Sequence, residues 1–244
     1  MMEYLHIHGE VKTDSLSRIL YSTDASAYRE IPLAVAYPED EADVQEIVRF
    51  AAKRHIDLIP RAGGTSLAGQ VVGKGLVVDI SKYMNRILEI NKEEHWVRVQ
   101  PGVVLDELNL YCKPYGLFFG PETSTSNRCC LSGMVGNNSC GSHSLVYGST
   151  RDHLLEAKVI LSDGSEAILK GLTPKEVDEK CKGNTLENLI YNQIITLLSK
   201  PENQNVILDM QLMSYFIVTI LMPKVQNLLI YVNYWRVQKA HWLL

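Results

Sequence analysis

Apolar residues return at helical spacing in a few parts of this chain and elsewhere come in short runs. The clearest helical pattern lies between Glu39 and His55, where Val44, Ile47, Val48 and Ala51 fall at i, i+3, i+4 and i+7. That spacing lines them along one face, and Glu39, Asp40, Glu41 and Asp43 gather at the end where the helix dipole favours acids. It predicts an amphipathic helix begun after Pro38. Shorter helices are expected around Asp14–Arg18, over Leu105–Cys112 before Pro114, and over Glu187–Leu198 through Leu189, Ile190, Ile194 and Leu198.

The short apolar runs read as strands. Asp57–Pro60 and Leu76–Ile80 flank a glycine-rich stretch, and the second run is dense in β-branched residues. Arg86–Ile90 and Trp96–Gln100 surround the polar turn Asn91–Glu94. Glu156–Leu161 and Ser165–Leu169 surround Ser162-Asp163-Gly164, a hairpin signal because Asp-Gly supplies the positive φ of a tight turn. Helices and strands alternate early and strands dominate later, which predicts an α+β fold with mixed sheets in place of a regular βαβ array.

Composition changes this picture little, except at the carboxy-terminal end. The 244 residues suffice for one large domain or two small ones, and 46% apolar with 21% charged residues is ordinary for a globular protein. A net charge of −4 offers nothing to nucleic acid or an anionic membrane surface, and neither is expected as a partner. Five cysteines, with Cys129 and Cys130 adjacent and no CxxC, give neither a disulfide framework nor zinc spacing, so no metal is expected. Reduced thiols in a cytoplasmic protein are the expectation. Met1–His6 lacks a basic start followed by an apolar core, so no secretory signal is expected. All 16 glycines lie at or before Gly183, and Val206–Met222 is a dense apolar run interrupted by Asp209, Gln211 and Ser214. A carboxylate inside so short a run argues against a membrane span and for a buried helix or strand, or a segment that packs poorly.

Two glycine-rich stretches are the candidate chemistry. Pro60-Arg61-Ala62-Gly63-Gly64-Thr65-Ser66-Leu67-Ala68-Gly69-Gln70 follows a strand, with one charge and two hydroxyls. A backbone so poor in Cβ atoms lets N–H groups converge on a diphosphate, although taken alone it reads first as an ordinary connection between strands. Downstream, Pro121-Glu122-Thr123-Ser124-Thr125-Ser126-Asn127 leads into Leu131-Ser132-Gly133-Met134-Val135-Gly136-Asn137-Asn138-Ser139-Cys140-Gly141-Ser142, again small and polar. Neither has the setting of a Rossmann turn or a P-loop ending.

Taken in order, these stretches resemble the PCMH-type FAD-binding domain of the FAD-linked oxidases, the vanillyl-alcohol-oxidase superfamily. The nearest branch is that of glycolate oxidase and D-lactate dehydrogenase-like enzymes, which Tyr21–Tyr28 and Tyr147–Thr150 also fit. The resemblance implies two α+β subdomains with mixed sheets. It implies a lead-in over residues 1–30, the FAD domain over 31–200 and a divergent tail over 201–244 in place of a substrate-binding cap. It assigns Arg61, Ala62, Gly63, Gly64, Thr65 and Ser66 to the FAD pyrophosphate, with Leu67 and Gly69 nearby. Pro121, Glu122, Thr125, Ser126, Gly133, Gly136, Asn137, Asn138, Gly141 and Ser142 would line the flavin and ribityl side, and Val159 and Ile160 would lie near the adenine. Some relatives tether FAD through a His after the paired glycines; Thr65 stands there, so non-covalent FAD is expected.

The function this implies is oxidation of a small 2-hydroxy acid, D-lactate or glycolate, by hydride transfer to the flavin. An electron-acceptor or iron–sulfur partner is common in the branch, but the cysteines here lack cluster spacing. The His-x-Gly-Asp-Gly-Asn motif of the branch's cap is absent, so no catalytic residue is assigned, and His143 is expected to play a structural hydrogen-bonding role. Beyond Asn205 the resemblance ends, which predicts a truncated or frame-shifted product. Alternatives are a non-catalytic FAD-binding remnant or subunit, and an enolpyruvyl-sugar reductase-like flavoenzyme.

Overall fold

The computed structural model describes residues 2–199, 229–236 and 238–239. It has an α+β fold built on two larger sheets. The first has the order β1-β2-β4-β3, from β1 (Glu10–Lys12), β2 (Ala34–Tyr37), β3 (Leu58–Arg61) and β4 (Leu76–Asp79). β1 and β2 are antiparallel while β4 runs parallel to both neighbours, so this sheet is mixed. The second has the order β5-β6-β10-β8-β9, from β5 (Ile87–Asn91), β6 (Trp96–Val99), β8 (Leu154–Ile160), β9 (Glu166–Lys170) and β10 (Leu229–Arg236). It is antiparallel throughout, which narrows the expectation of mixed sheets to the first. Short β7 (Leu117–Phe118) pairs with β11 (Gln238–Lys239).

After the short α1 (Ser15–Leu20), the predicted amphipathic helix is α2 (Glu41–Arg54). Asp40 caps it by accepting from the Asp43 amide at 2.9 Å, and His55 ends it in the left-handed conformation at φ 55°. Val44, Ile47, Val48, Phe50 and Ala51 are buried against Ala34, Ala36, Leu58, Leu76 and Val78 of the sheet. Asp43 itself is buried, and its carboxylate accepts from the backbone amides of His8 (2.7 Å), Gly9 (2.9 Å) and Glu39 (2.9 Å). The acid that looked like a dipole partner therefore ties the amino-terminal strand to the helix.

The second core gathers Val97, Val99, Leu105, Leu108, Phe119, Leu131, Met134 and Val159 under α3 (Leu105–Cys112) and α4 (Leu131–Asn137). Successive side chains of a strand face opposite ways, and β8 uses this: Val159 enters the second core and Ile160 the first. Polar contacts also reach from α2 to the β8–β9 hairpin, with Gln45 donating to Glu166 at 2.8 Å and Arg49 to the Gly164 carbonyl at 3.2 Å.

Three elements depart from the sequence reading. β2 is continuous Ala-Val-Ala-Tyr, buried on both faces, and so lacks the alternation that marks a half-exposed strand. Leu131–Asn137, read as a glycine-rich loop, is helix α4. There Leu131, Met134 and Val135 lie at i, i+3 and i+4 on the core side, and their burial outweighs a glycine cost of about 1 kcal/mol each. α6 (Pro174–Lys180), which follows the single turn α5 (Ser144–Tyr147), was not expected, although Thr173 and Glu176 form a capping box. The run Val206–Met222 lies outside the described residues.

Candidate functional site

The stretch between β3 and β4 leaves the sheet at Arg61 and returns at Leu76 without a helix, although the two strands are parallel neighbours. Gly64 (φ 62°) and Gly69 (φ 73°) take left-handed backbone conformations that a side chain would strain. Gly63 is needed for a different reason. A Cβ there would stand 2.3 Å from the Arg128 carbonyl oxygen, so the loop and the segment before α4 meet backbone to backbone. A Cβ on Gly133 would meet the Ala62 methyl at 3.7 Å, and Gln70 Nε2 donates to Asn137 Oδ1 at 3.4 Å. The two glycine-rich stretches therefore form the two sides of one site.

The second side is built in steps. The amides of Ser126, Arg128 and Cys129 bond back to the Thr123 and Thr125 carbonyls, winding the Pro121–Asn127 stretch into helical turns that leave Thr125 and Ser126 half-buried. Helix α4 follows with Gly133, Gly136 and Asn137 exposed. Asn138 ends it in the left-handed region at φ 45°, where Asn is tolerated, and its Oδ1 accepts from the Arg151 amide at 3.1 Å. Gly141 then passes so close that a Cβ would lie 2.3 Å from the Glu122 carbonyl oxygen. Ser142 Oγ donates to Glu122 Oε1 at 2.6 Å and His143 Nδ1 lies 2.7 Å from the same oxygen, so His143 does make a structural contact, an exposed one.

Three predicted residues stand apart from this surface. Val159 and Ile160 are completely buried in the two cores, and β8 is paired there on one edge with β10 and on the other with β9, so neither side chain is open to a ligand. Arg61 turns its guanidinium beneath the loop: Nη1 donates to the carbonyls of Tyr21 at 3.4 Å and Val71 at 3.5 Å, and the group lies 5.0 Å from the Tyr21 ring centroid. Tyr21 donates to the buried carboxylate of Asp79 at 2.5 Å, and Asp79 also accepts from the amide (2.7 Å) and hydroxyl (2.6 Å) of Ser81. Burial and then the Asp79 hydrogen bond raise the Tyr21 hydroxyl pKa well above that of free tyrosine, so it stays a donor. Tyr21 and Asp79 were not among the expected site residues; their signal lies in contacts, not in spacing.

Two buried thiols nearby are poor nucleophiles. Burial pushes Cys130 up to about 12 and Cys112 up to about 11, which keeps them protonated and poor nucleophiles. The cavity at the carboxy-terminal end of α2, lined by residues such as Val48, His55, Ile56 and Ser162, contains none of the site residues.

The surface fits a dinucleotide. Backbone is bared where Gly63 and Gly141 leave no room for a Cβ, the exposed helix face is glycine and asparagine, and hydroxyls of Thr65, Ser66, Thr125 and Ser126 border it. A negatively charged diphosphate is best held by such amide donors, and a flavin by close flat contact. Comparison with known proteins agrees. Over 189 residues the chain is 46% identical to the D-2-hydroxyglutarate dehydrogenase of Escherichia coli K12, covering 76% of this chain and 19% of that protein. It is 30% identical over 203 residues to the glycolate oxidase subunit GlcD of Bacillus subtilis 168, covering 78% of this chain and 42% of the relative. It thus spans less than half the length of either relative. Among solved structures, an alkyldihydroxyacetonephosphate synthase superposes with a TM-score of 0.66 at 17% identity, over 94% of this chain and 38% of its own, a likeness of fold. The model of the FAD binding domain family matches residues 32–169, more than half of the sequence and both sides of the site, and this chain belongs to that family.

Proposed function

We propose that this chain is the cofactor-holding part of an FAD-dependent oxidoreductase that oxidises a small 2-hydroxy acid, such as D-lactate, glycolate or 2-hydroxyglutarate. The observation that carries the reading is the meeting of the two glycine-rich stretches, Gly63 against Arg128 and Ala62 against Gly133. The names of the relatives support the substrate class, since 2-hydroxyglutarate and glycolate are both 2-hydroxy acids. A bound FAD would supply the acceptor for the hydride from the carbon that bears the substrate hydroxyl. The chain's own residues bind and orient. Ala62, Gly63, Gly64, Thr65 and Ser66 wrap the pyrophosphate, with Leu67 and Gly69 shaping the loop. Pro121, Glu122, Thr125, Ser126, Gly133, Gly136, Asn137, Asn138, Gly141 and Ser142 line the flavin and ribityl side, and β8 stands near the adenine at Val159 and Ile160. FAD is held non-covalently, because Thr65 follows the paired glycines and a hydroxyl is a poor tether. The working division is a lead-in at 1–30, the FAD domain at 31–200 and a divergent tail at 201–244 from which β10 enters the second sheet of that domain, in a protein of the cytoplasm. No described helix is long and apolar enough to cross a membrane.

A second reading is a non-catalytic FAD-binding module that needs a partner chain to oxidise anything. The chain spans 19% of the Escherichia coli relative. One experiment separates the two: record the flavin spectrum of the purified chain, then follow dye reduction with lactate, glycolate and 2-hydroxyglutarate. Dye reduction supports the enzyme, and stoichiometric flavin without reduction supports the module. A chain with no bound flavin and no affinity for added FAD refutes both.

A further inference from the structure

The segment Tyr21–Tyr28 precedes the matched FAD domain, which begins at residue 32, yet it touches the first glycine-rich loop at three separate points. At its start, the Tyr21 carbonyl accepts from Arg61 and the Tyr21 ring lies under the guanidinium. In its middle, the Ala25 amide donates to the Gly64 carbonyl at 3.2 Å. At its end, the Tyr28 ring lies so close to Gly69 that a Cβ there would come within 2.6 Å of Cδ2. The segment is closed on itself by a bridge between Thr23 and Arg29 and by the Glu30 amide bonding to the Ser22 carbonyl at 2.9 Å. Its base is pinned by the Tyr21–Asp79 hydrogen bond to the end of β4.

Arg61 belongs to the same arrangement. Its Nη2 would stand 2.7 Å from a Cβ on Gly64, so the guanidinium occupies the underside of the loop that the missing side chain leaves open. A cation committed there joins two carbonyls and an aromatic face, a task suited to the planar fork of arginine and not to a lysine ammonium.

We propose that Tyr21–Tyr28 is a strap that sets the shape of the Gly63–Gly69 loop, and that Arg61, Tyr21 and Tyr28 are positioning residues for FAD through it. The diphosphate is then met by the loop's amides, and the charge of Arg61 acts on the strap.

The test uses the full chain with four substitutions, Tyr28→Ala, Tyr28→Phe, Arg61→Lys and Arg61→Ala. Two readouts are taken: FAD affinity across a salt series, and hydrogen exchange of the loop amides in the free protein. Tyr28→Ala should speed exchange at Gly63–Gly69 and weaken FAD by about tenfold, and Tyr28→Phe, which keeps the ring, should restore both. Arg61→Lys should lose as much affinity as Arg61→Ala, and the dependence of affinity on salt should stay that of the wild type in both. Exchange of Ala34–Tyr37 and Leu76–Asp79, unchanged in all four, reports that the first sheet has folded. Three results would overturn the proposal: unchanged loop exchange in Tyr28→Ala, full affinity in Arg61→Lys, or a flattened salt dependence in Arg61→Ala. The last two would mean that the cation lies on the diphosphate itself.

Discussion

Replacing Gly133 by alanine should make the free protein more stable and its hold on FAD weaker. The residue is the third of α4 and does not take a left-handed backbone conformation, so alanine fits the helix. The added methyl meets nothing within 4 Å except the Ala62 methyl at 3.7 Å, an ordinary contact. Within the protein the change brings only the helix preference of alanine over glycine, up to about 1 kcal/mol, which raises the melting temperature by roughly 2–4 °C in a domain of this size. Toward the ligand the same methyl stands on the exposed face beside Ala62–Gly64, where the cofactor is expected. Overpacking of one methyl costs about 1–3 kcal/mol, or roughly 5- to 150-fold in affinity. Thermal melting of the FAD-free protein and titration of FAD by fluorescence quenching measure the two effects separately. Gly171→Ala is the control, since nothing lies within 4 Å of its Cβ. Gly63→Ala is the contrast: its Cβ at 2.3 Å from a carbonyl forces the two sides of the site apart, so both stability and affinity should fall. A Gly133→Ala protein that is more stable and binds FAD like the wild type would refute the placement of the cofactor on α4.

Two further outcomes are expected. Asp43→Ala strands the amides of His8, Gly9 and Glu39, which should lower stability by about 3 kcal/mol in urea unfolding; a loss under about 1 kcal/mol would mean that water replaces the carboxylate. The Glu10 carboxylate is held down to about 2 by Lys12, Lys82 and Tyr83, against an ordinary value of 4.5. With the folded pKa below the unfolded one, its contribution is complete above pH 4.5 and is lost as pH falls toward 2. Carboxyl NMR should show that titration, and a midpoint near 4.5 would dismiss the cluster.

Much of this was legible beforehand, for identifiable reasons. Helix α2 announced itself because its periodicity and charge distribution agree, and the β8–β9 hairpin because Gly164 sits at φ 79° where Asp-Gly predicts a turn. The two sides of the site were visible as glycine, since close backbone approach leaves that mark at Gly63 and Gly141. Helix α4 was hidden by the same mark, because glycine reads as loop until burial of Leu131 and Met134 is known. The role of Arg61 was hidden too: a lone cation in a candidate diphosphate loop suggests a phosphate ligand, and only the Tyr21 and Val71 carbonyls turn it inward.

Strand β10 carries a consequence for how the protein is made. It lies between β6 and β8, and its Asn233 pairs with Val99 and Ala157, partners made far earlier in synthesis. The first sheet is complete once Asp79 has emerged, so it can form while translation continues. The second must hold β6 and β8 apart, with both facing edges unpaired, until Arg236 arrives. Such waiting edges recruit other strands and such distant pairing is slow, so the chain on the ribosome passes through a long interval in which half of its FAD domain is exposed to misassembly.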